Sequence, residues 1–250
     1  MRLAFEKVGV GYGGRAVLSG VDLAIGAGEF VALIGPNGSG KSSLMRAAAG
    51  LARHEGAIRL GRGANGPARL AYMPQSEGRP PALTALEVVL LGRVRHLGLR
   101  VADADLAVAE ATMRELGVDV FADRYVGELS GGQRQLVYLA QALVAQPDAL
   151  LLDEPTSALD MRHQLSVLST LRDLCATRGL AVLVILHDLN AAARFADRIA
   201  LLHSGRIAVC GSPREALTVA RIEMAFGVTA AIGESPDGRP TVTPLAAVTP

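Results

Sequence analysis

The sequence of 250 residues predicts an α/β fold in which a sheet core has both faces covered. Short continuous apolar runs recur along the chain, bounded by Gly, Pro or Asp, as is typical of buried parallel strands. Helical patterns separate these runs. Because 50% of the residues are hydrophobic and only 4% are aromatic, we expect a large aliphatic core.

The predicted strands and helices alternate in chain order. Residues 2–10 alternate between apolar and polar, like an antiparallel edge of the sheet. The continuous apolar runs are residues 30–34, 149–152, 181–186 and 199–202. The main helical patterns cover residues 41–51, 133–145, 161–177 and 189–196. Residues 203–213 predict a hairpin that turns at Ser204-Gly205.

Two segments depart from this alternation. Residues 82–146 contain one helical pattern after another, which predicts a helical subdomain inserted in a core of residues 1–81 and 147–231. The tail of residues 232–250 is rich in Pro and Thr, and it could form a short hairpin or remain loose.

Composition excludes several classes of function. A net charge of +1 gives no electrostatic case for nucleic-acid binding, since such proteins usually carry a basic stripe. No apolar run approaches the roughly 20 residues that span a bilayer. Cys175 and Cys210 lack metal-ligand spacing and indicate a reducing compartment. We therefore expect a soluble intracellular chain that reaches a membrane only through a partner.

A phosphate-binding loop is the most specific motif. Residues 35–43, GPNGSGKSS, fit G-x-x-x-x-G-K-[ST] between a strand and a helix. Lys41 is expected to reach the β- and γ-phosphates of a nucleotide, and the Ser42 hydroxyl is expected to bind Mg²⁺. The chain has one other lysine, Lys7. The positions assigned to nucleotide binding are Gly35, Asn37, Gly38, Ser39, Gly40, Lys41, Ser42 and Ser43.

Polar residues follow two of the apolar runs, and they are candidates for binding the metal and activating water. Asp153 ends one run and is expected to contact Mg²⁺, and Glu154 comes next, placed to activate water as a general base. His187 follows the run at 181–186, at a carboxyl end where open α/β sheets bind ligands. It could contact the γ-phosphate, or hold the water and Glu154 in place.

Two further candidates carry weaker signals. Gln75 follows a short strand, and its amide could sense both the metal and the water. Tyr12 could stack on adenine, although a tyrosine in a turn needs no such role.

A second anion site is predicted where Ser130-Gly131-Gly132-Gln133 opens the helix at 133–145. A helix N-terminus with small residues presents bare amides that attract anions.

Taken in order, the loop at 35–42, Gln75, LSGGQ at 129–133, LLLDEP at 150–155, SALD at 157–160 and His187 resemble an ABC transporter nucleotide-binding subunit. The resemblance implies a P-loop NTPase fold with a mixed sheet core, an antiparallel β edge and an inserted helical subdomain. It also implies ATP and Mg²⁺ binding, and a head-to-tail dimer. In that dimer Ser130, Gly131, Gly132 and Gln133 meet the ATP of the partner copy. Asp160 is then expected at the dimer interface.

Residues 86–98, 151–168 and 186–218 resemble the ATPases of iron–siderophore, haem and cobalamin importers. This implies separate membrane permease subunits, a substrate-binding protein, and a peripheral position on the cytoplasmic face of a bacterial inner membrane. Residues 76–101 are expected to form the groove that receives the permease. Ser43 stands where many relatives carry Thr.

Other functions stay open at this point. An importer of zinc, manganese or amino acids, or an exporter, would carry the same motifs. A soluble ABC-type ATPase acting on nucleic acid or ribosomes, and a P-loop kinase, fit less well. The first usually has two cassettes in one chain, and the second would leave LSGGQ unexplained.

Overall fold

The computed structural model describes residues 1–63, 66–75, 78–93 and 101–248 and has an α/β architecture. The strands are β1 (Leu3–Tyr12), β2 (Arg15–Ile25), β3 (Phe30–Ile34), β4 (Glu55–Leu60), β5 (Arg62–Gly63), β6 (Gly66–Pro67), β7 (Leu70–Met73), β8 (Ala149–Asp153), β9 (Ala181–Ile185), β10 (Arg198–His203), β11 (Arg206–Gly211), β12 (Val228–Glu234) and β13 (Pro240–Ala247). The helices are α1 (Lys41–Ala48), α2 (Ala85–Leu91), α3 (Asp103–Glu115), α4 (Gly131–Leu143), α5 (Met161–Arg178), α6 (Leu189–Phe195), α7 (Pro213–Ala216) and α8 (Val219–Phe226). Among these helices, none combines the length and apolar character that crossing a bilayer requires.

The central sheet has six strands in the order β11-β10-β3-β9-β8-β7. Five of them run parallel, and β11 pairs antiparallel with β10 at one edge. The predicted hairpin at Ser204-Gly205 is confirmed, because both residues have the positive φ, 48° and 74°, that a tight hairpin turn of the I′ type needs. The mixed sheet therefore agrees with the expected fold class.

Each central strand contributes side chains to two separate apolar layers. In β8, Leu150 and Leu152 pack in the layer with α4, α5 and α6, while Ala149 and Leu151 pack in the layer with α1. Successive side chains of a strand point to opposite faces, so both faces of this sheet must be covered. This explains why the sequence shows unbroken apolar runs here and no alternation.

A second sheet of three antiparallel strands, in the order β2-β1-β4, covers the α1 side. β1 is its central strand, paired with β2 on one side and β4 on the other. The alternation in the first ten residues arises because one face of β1 packs on the core. The fold therefore has two antiparallel features: the separate sheet β2-β1-β4 and the edge strand β11 of the central sheet.

The described part of residues 82–146 contains α2, α3, α4 and two short 3₁₀ turns. Arg93 links the three helices: its Nε donates to Asp105 Oδ1 of α3 at 2.6 Å, and its Nη1 donates to the Val144 carbonyl after α4 at 3.2 Å. We keep this segment as a proposed helical subdomain.

Of the two possibilities for the tail, its described residues form a hairpin up to Ala247. β12 and β13 pair from Val228↔Ala247 to Glu234↔Pro240. The Asn190 side chain on α6 exchanges two hydrogen bonds with the Val242 backbone, at 2.7 and 3.2 Å. Residue 232, the expected start of the tail, lies inside β12, so the ordered hairpin begins four residues earlier, at Val228.

Both cysteines are free thiols. Cys175 is buried, and burial raises its pKa to about 12. Cys210 is half-buried and lies 2.8 Å from Nη2 of Arg198. Burial also raises the pKa of Cys210. The thiols therefore behave as small packing groups.

Leu151→Ala is expected to lower the free energy of unfolding by about 2–5 kcal/mol, because Leu151 is fully buried in β8 and the change leaves a cavity. The control is Leu245→Ala, at a side chain of β13 that is 65% exposed, where the change should stay within about 0.5 kcal/mol. Urea unfolding measures both. Equal losses would contradict the assignment of the core.

Candidate nucleotide-binding and catalytic site

The parallel sheet brings the predicted site residues to one edge. Asp153 at the end of β8 is in register with Ile185 of β9, which is in register with Leu33 of β3. The residues that follow these strands therefore start at the same level. Gly35, Glu154 and His187 come from three adjacent strands, and Gln75 follows the neighbouring β7.

The phosphate loop has a backbone that only glycine allows at two points. A Cβ on Gly35 would lie 2.2 Å from the Leu202 carbonyl oxygen, and one on Gly40 would lie 2.5 Å from a methyl of Leu18. Gly40 has φ of 104° and precedes α1 without a side-chain cap. The first amides of α1 are therefore left for a ligand, and a helix N-terminus favours an anion there.

Lys41 is the first residue of α1 and is 6% exposed. Its ammonium donates to the carbonyls of Gly35 and Pro36, both at 2.9 Å. Burial lowers the pKa of Lys41, and the carboxylates of Glu154 and Asp153 oppose this shift. The loop thus holds a cation in place before a ligand arrives.

A buried carboxylate beneath the loop fits a divalent cation. Asp153 is 2% exposed, and its Oδ1 has no hydrogen-bond partner among the described residues. Oδ2 accepts from the Tyr72 hydroxyl at 3.5 Å. Burial raises the pKa of Asp153, and the Ser42 hydroxyl is the strongest influence in the opposite direction. An unpaired buried carboxylate oxygen beside a serine hydroxyl is the hard oxygen donor set that Mg²⁺ prefers.

The Glu154 carboxylate is held between two side chains. Its Oε1 lies 2.6 Å from Nε2 of His187, and its Oε2 accepts from Nε2 of Gln75 at 3.0 Å. Glu154 has φ of 54°, a left-handed conformation that is rare for residues other than glycine. The strained backbone turns this side chain toward both partners.

A cleft of about 550 Å³ brings the catalytic candidates together with Tyr12 and six residues of the phosphate loop. It is lined by Tyr12, Val17, Asn37, Gly38, Gly40, Lys41, Ser42, Ser43, Gln75, Glu154 and His187. Gly35 and Ser39 lie in the loop behind it, and the buried Ser39 hydroxyl has no hydrogen-bond partner among the described residues. Tyr12 is 48% exposed at the rim, where its ring is accessible to a base.

The second predicted anion site does not line this cleft. Ser130 caps α4: its Oγ accepts from the Gln133 amide at 3.2 Å, and Gln133 Oε1 accepts from the Ser130 amide at 3.0 Å. The amides of Gly131 and Gly132 lie between them in the first turn, where a helix has no internal acceptor. Ser130–Gln133 are therefore absent from the residues that line the cleft with Lys41.

Asp160 also lies apart from the cleft, as the N-cap of α5. It accepts from the amide of His163 at 2.9 Å, and the His163 ring Nδ1 lies 2.8 Å from the same Oδ1. The bonds from His163 lower the pKa of Asp160.

Two residues that contact the site were not predicted from the sequence. Tyr72 contacts the Asp153 carboxylate, and burial together with Asp153 raises its pKa to about 12. Gln135 on α4 donates to the Glu154 carbonyl at 2.7 Å. A signal for Gln135 was present, because it is a polar residue four positions before Leu139 on the apolar stripe of α4.

Comparison with known proteins places this geometry in a family. Residues 18–157 match the ABC transporter family. The chain belongs to the ABC transporter family. The hemin import ATP-binding protein of Pseudomonas fluorescens is 42% identical over 254 residues, which cover 96% of this chain and 98% of the relative. The cobalamin import ATP-binding protein of Halobacterium salinarum is 39% identical over 98% of the chain, but the chain spans only 64% of that relative's length.

Solved structures agree. A protein described as a metal-chelate type ABC transporter in an inward-facing conformation superimposes with a TM-score of 0.86 and 29% identity, over 98% of this chain and 97% of that chain. A dimeric ATP-binding cassette bound to ADP and Pi superimposes with a TM-score of 0.74 and 29% identity, over 85% and 99%. The predicted family and the fold class are confirmed.

Lys41→Ala is expected to weaken ATP binding by about 10- to 100-fold, the equivalent of losing a charged hydrogen bond of about 1.5–3 kcal/mol. Lys7→Ala is the matched control, because Lys7 is an exposed residue of β1 outside the cleft and should keep wild-type affinity. Calorimetric titration with ATP measures both. Unchanged affinity of Lys41→Ala would contradict the assignment of the phosphate loop.

Proposed function

We propose that this ABC ATPase powers import of a metal chelate, such as haem, an iron–siderophore or cobalamin, through separate membrane subunits. The observation that carries the ATPase part is the meeting of Lys41, Glu154 and His187 at one cleft. The names of the relatives support the cargo: they are hemin and cobalamin import ATP-binding proteins.

The phosphate loop is proposed to bind the ATP phosphates. Lys41 is positioned by the carbonyls of Gly35 and Pro36, so little reorganisation is needed when a phosphate arrives. Asp153, Ser42 and Gln75 would hold Mg²⁺, which when bound neutralises charge on the β- and γ-phosphates. The Tyr72 hydroxyl keeps the Asp153 carboxylate oriented.

Glu154 is proposed to take a proton from the attacking water. The His187 imidazole and the Gln75 amide fix its two oxygens, so the carboxylate is oriented before the water binds. In this proposal His187 acts by holding Glu154, the second of the two roles considered for it. Catalysis in this scheme rests on positioning and charge, as phosphoryl transfer requires.

The separation of Ser130–Gln133 from the cleft supports a head-to-tail dimer. In this proposal the capped turn of α4 and Asp160 face the nucleotide cleft of a second copy, so ATP closes the dimer and loss of phosphate opens it. A dimeric ATP-binding cassette bound to ADP and Pi, similar to this chain, supports a dimer that binds nucleotide.

Membrane permease subunits and a substrate-binding protein are the remaining proposed partners. They would place the chain at the cytoplasmic face of a bacterial inner membrane. Of the segment assigned to permease contact, residues 76–77 and 94–100 lie outside the described residues. The exposed Leu91, at 44%, belongs to the part of this segment that is described.

Uptake assays test the cargo. The chain is expressed together with the permease subunits encoded by neighbouring genes, and membrane vesicles are prepared from these cells. ATP-dependent accumulation of haem, cobalamin, a ferric siderophore and Zn²⁺ in the vesicles is then compared. Uptake of one chelate supports the proposal. Uptake of Zn²⁺ alone would overturn it and favour the alternative importer.

Glu154→Gln is expected to bind Mg-ATP with wild-type affinity but to hydrolyse it about 10²- to 10⁴-fold more slowly, because the amide cannot accept the proton. The trapped nucleotide should also stabilise a dimer. Phosphate release and light scattering measure the two effects. Turnover near the wild-type rate would show that Glu154 is not the base.

Ser130→Arg is expected to abolish cooperative ATP hydrolysis while leaving ATP binding to each copy within about twofold, since the added cation would occupy the partner's cleft. Ser169→Arg makes the same change on the exposed surface of α5 and serves as the control. Steady-state ATPase assays across ATP concentrations measure the effect. Normal cooperative turnover by Ser130→Arg would rule out the shared site.

A further inference from the structure

One buried side chain joins α4 to the segment that follows β8. Gln135 is 8% exposed, and its amide is used at both ends. Nε2 donates to the Glu154 carbonyl at 2.7 Å, and Oε1 accepts from the Ala158 amide at 3.2 Å. These bonds connect residues 19 and 23 positions apart, so they depend on the packing of α4 against residues 154–159.

Apolar packing alone does not account for this glutamine. Its neighbours on the helix, Leu136 and Leu139, are buried in the core layer on the α4 side of the sheet. A buried amide destabilises the folded state unless every polar atom is paired. Both halves of this amide are paired with backbone groups. The side chain therefore specifies one arrangement of residues 154–158.

The Glu154 carbonyl is where three hydrogen bonds of this arrangement meet. It accepts from Gln135 at 2.7 Å, from the Ser157 hydroxyl at 3.1 Å and from the Ser157 amide at 3.3 Å. The same residue has φ of 54°, a sparsely populated backbone conformation that is strained for residues other than glycine. Such strain persists only when surrounding bonds hold it. The direction of the Glu154 carboxylate depends on that backbone.

The same helix end packs tightly on this segment. A Cβ on Gly132 would lie 3.1 Å from Leu159 Cδ2 and 3.2 Å from the Ala158 carbonyl oxygen. The turn at Ser130–Gln133 and the segment that carries Glu154 therefore form one packed unit. Gln135 is the hydrogen-bonded link within it.

We propose that Gln135 is a positioning residue for ATP hydrolysis that fixes the backbone of Glu154 to α4. This inference rests on the proposed function, because it takes Glu154 as the general base. The helix that meets the partner's nucleotide then also aims the base of its own cleft. Gln135 lies outside the residues that line the cleft, so it acts through Glu154 and touches no substrate.

Gln135→Met tests the link, because methionine keeps the length of the side chain and removes both hydrogen bonds. The expected result is a kcat at least about 10-fold lower with KM for ATP within about twofold, which is the signature of an interaction that serves the transition state. Gln141→Met on the same helix is the matched control and should keep both constants. Rates are normalised to the fraction of protein that binds a fluorescent ATP analogue, so partial unfolding does not imitate the effect.

Gln135→Glu separates the two bonds. A carboxylate can still accept from the Ala158 amide but cannot donate to the Glu154 carbonyl, so kcat is expected to fall as in Gln135→Met. Wild-type kcat in either variant would overturn the inference. A purely structural role would lower the melting temperature without changing kcat per binding-competent molecule, and that result would overturn it too.

Glu154→Gln, assayed in parallel, separates a failure of the Gln135 inference from a failure of the proposed general-base role of Glu154. If Glu154→Gln hydrolyses ATP normally, the general-base assignment is wrong and the role of Gln135 is lost with it. If Glu154→Gln is inactive while Gln135→Met keeps wild-type kcat, the proposed function stands and the positioning role alone is wrong.

Discussion

The register of three parallel strands is the constraint on which the site depends. Because β3, β9 and β8 end at one level, the loop before Lys41, the His187 ring and the Glu154 carboxylate reach the same cleft without long excursions. The apolar layers on both faces of the sheet hold that register. A shift of β8 by one residue would turn its side chains to the opposite layers and move Glu154 relative to His187.

The parts of the fold that could be predicted from sequence are those set by local pattern. Buried parallel strands are continuously apolar, so the sequence predicts the ends of β3, β8, β9 and β10 to within a residue or two. The phosphate loop was equally readable, because glycine at 35 and 40 is needed where a Cβ would collide with Leu202 or Leu18. Asp153, Glu154 and His187 followed from their places at strand ends, and the hairpin at 204–205 followed from its turn residues.

The parts that could not be predicted depend on contacts between distant residues. The bond from Gln135 to the Glu154 carbonyl and the left-handed backbone of Glu154 exist only once α4 has packed on β8. The same holds for the tail, whose order comes from Asn190 on α6. The central place of β1 was missed because alternation shows that one face is buried, not how many strands lie alongside.

Mixing two impaired variants tests the shared nucleotide site most directly. Lys41→Ala lacks the phosphate-binding ammonium, and Ser130→Arg lacks a usable helix turn, but a mixed dimer contains one site with both groups intact. The account predicts that the mixture hydrolyses ATP faster than the sum of the two proteins assayed alone. A mixture no more active than that sum, with mixed dimers shown to form, would contradict a site built from two copies.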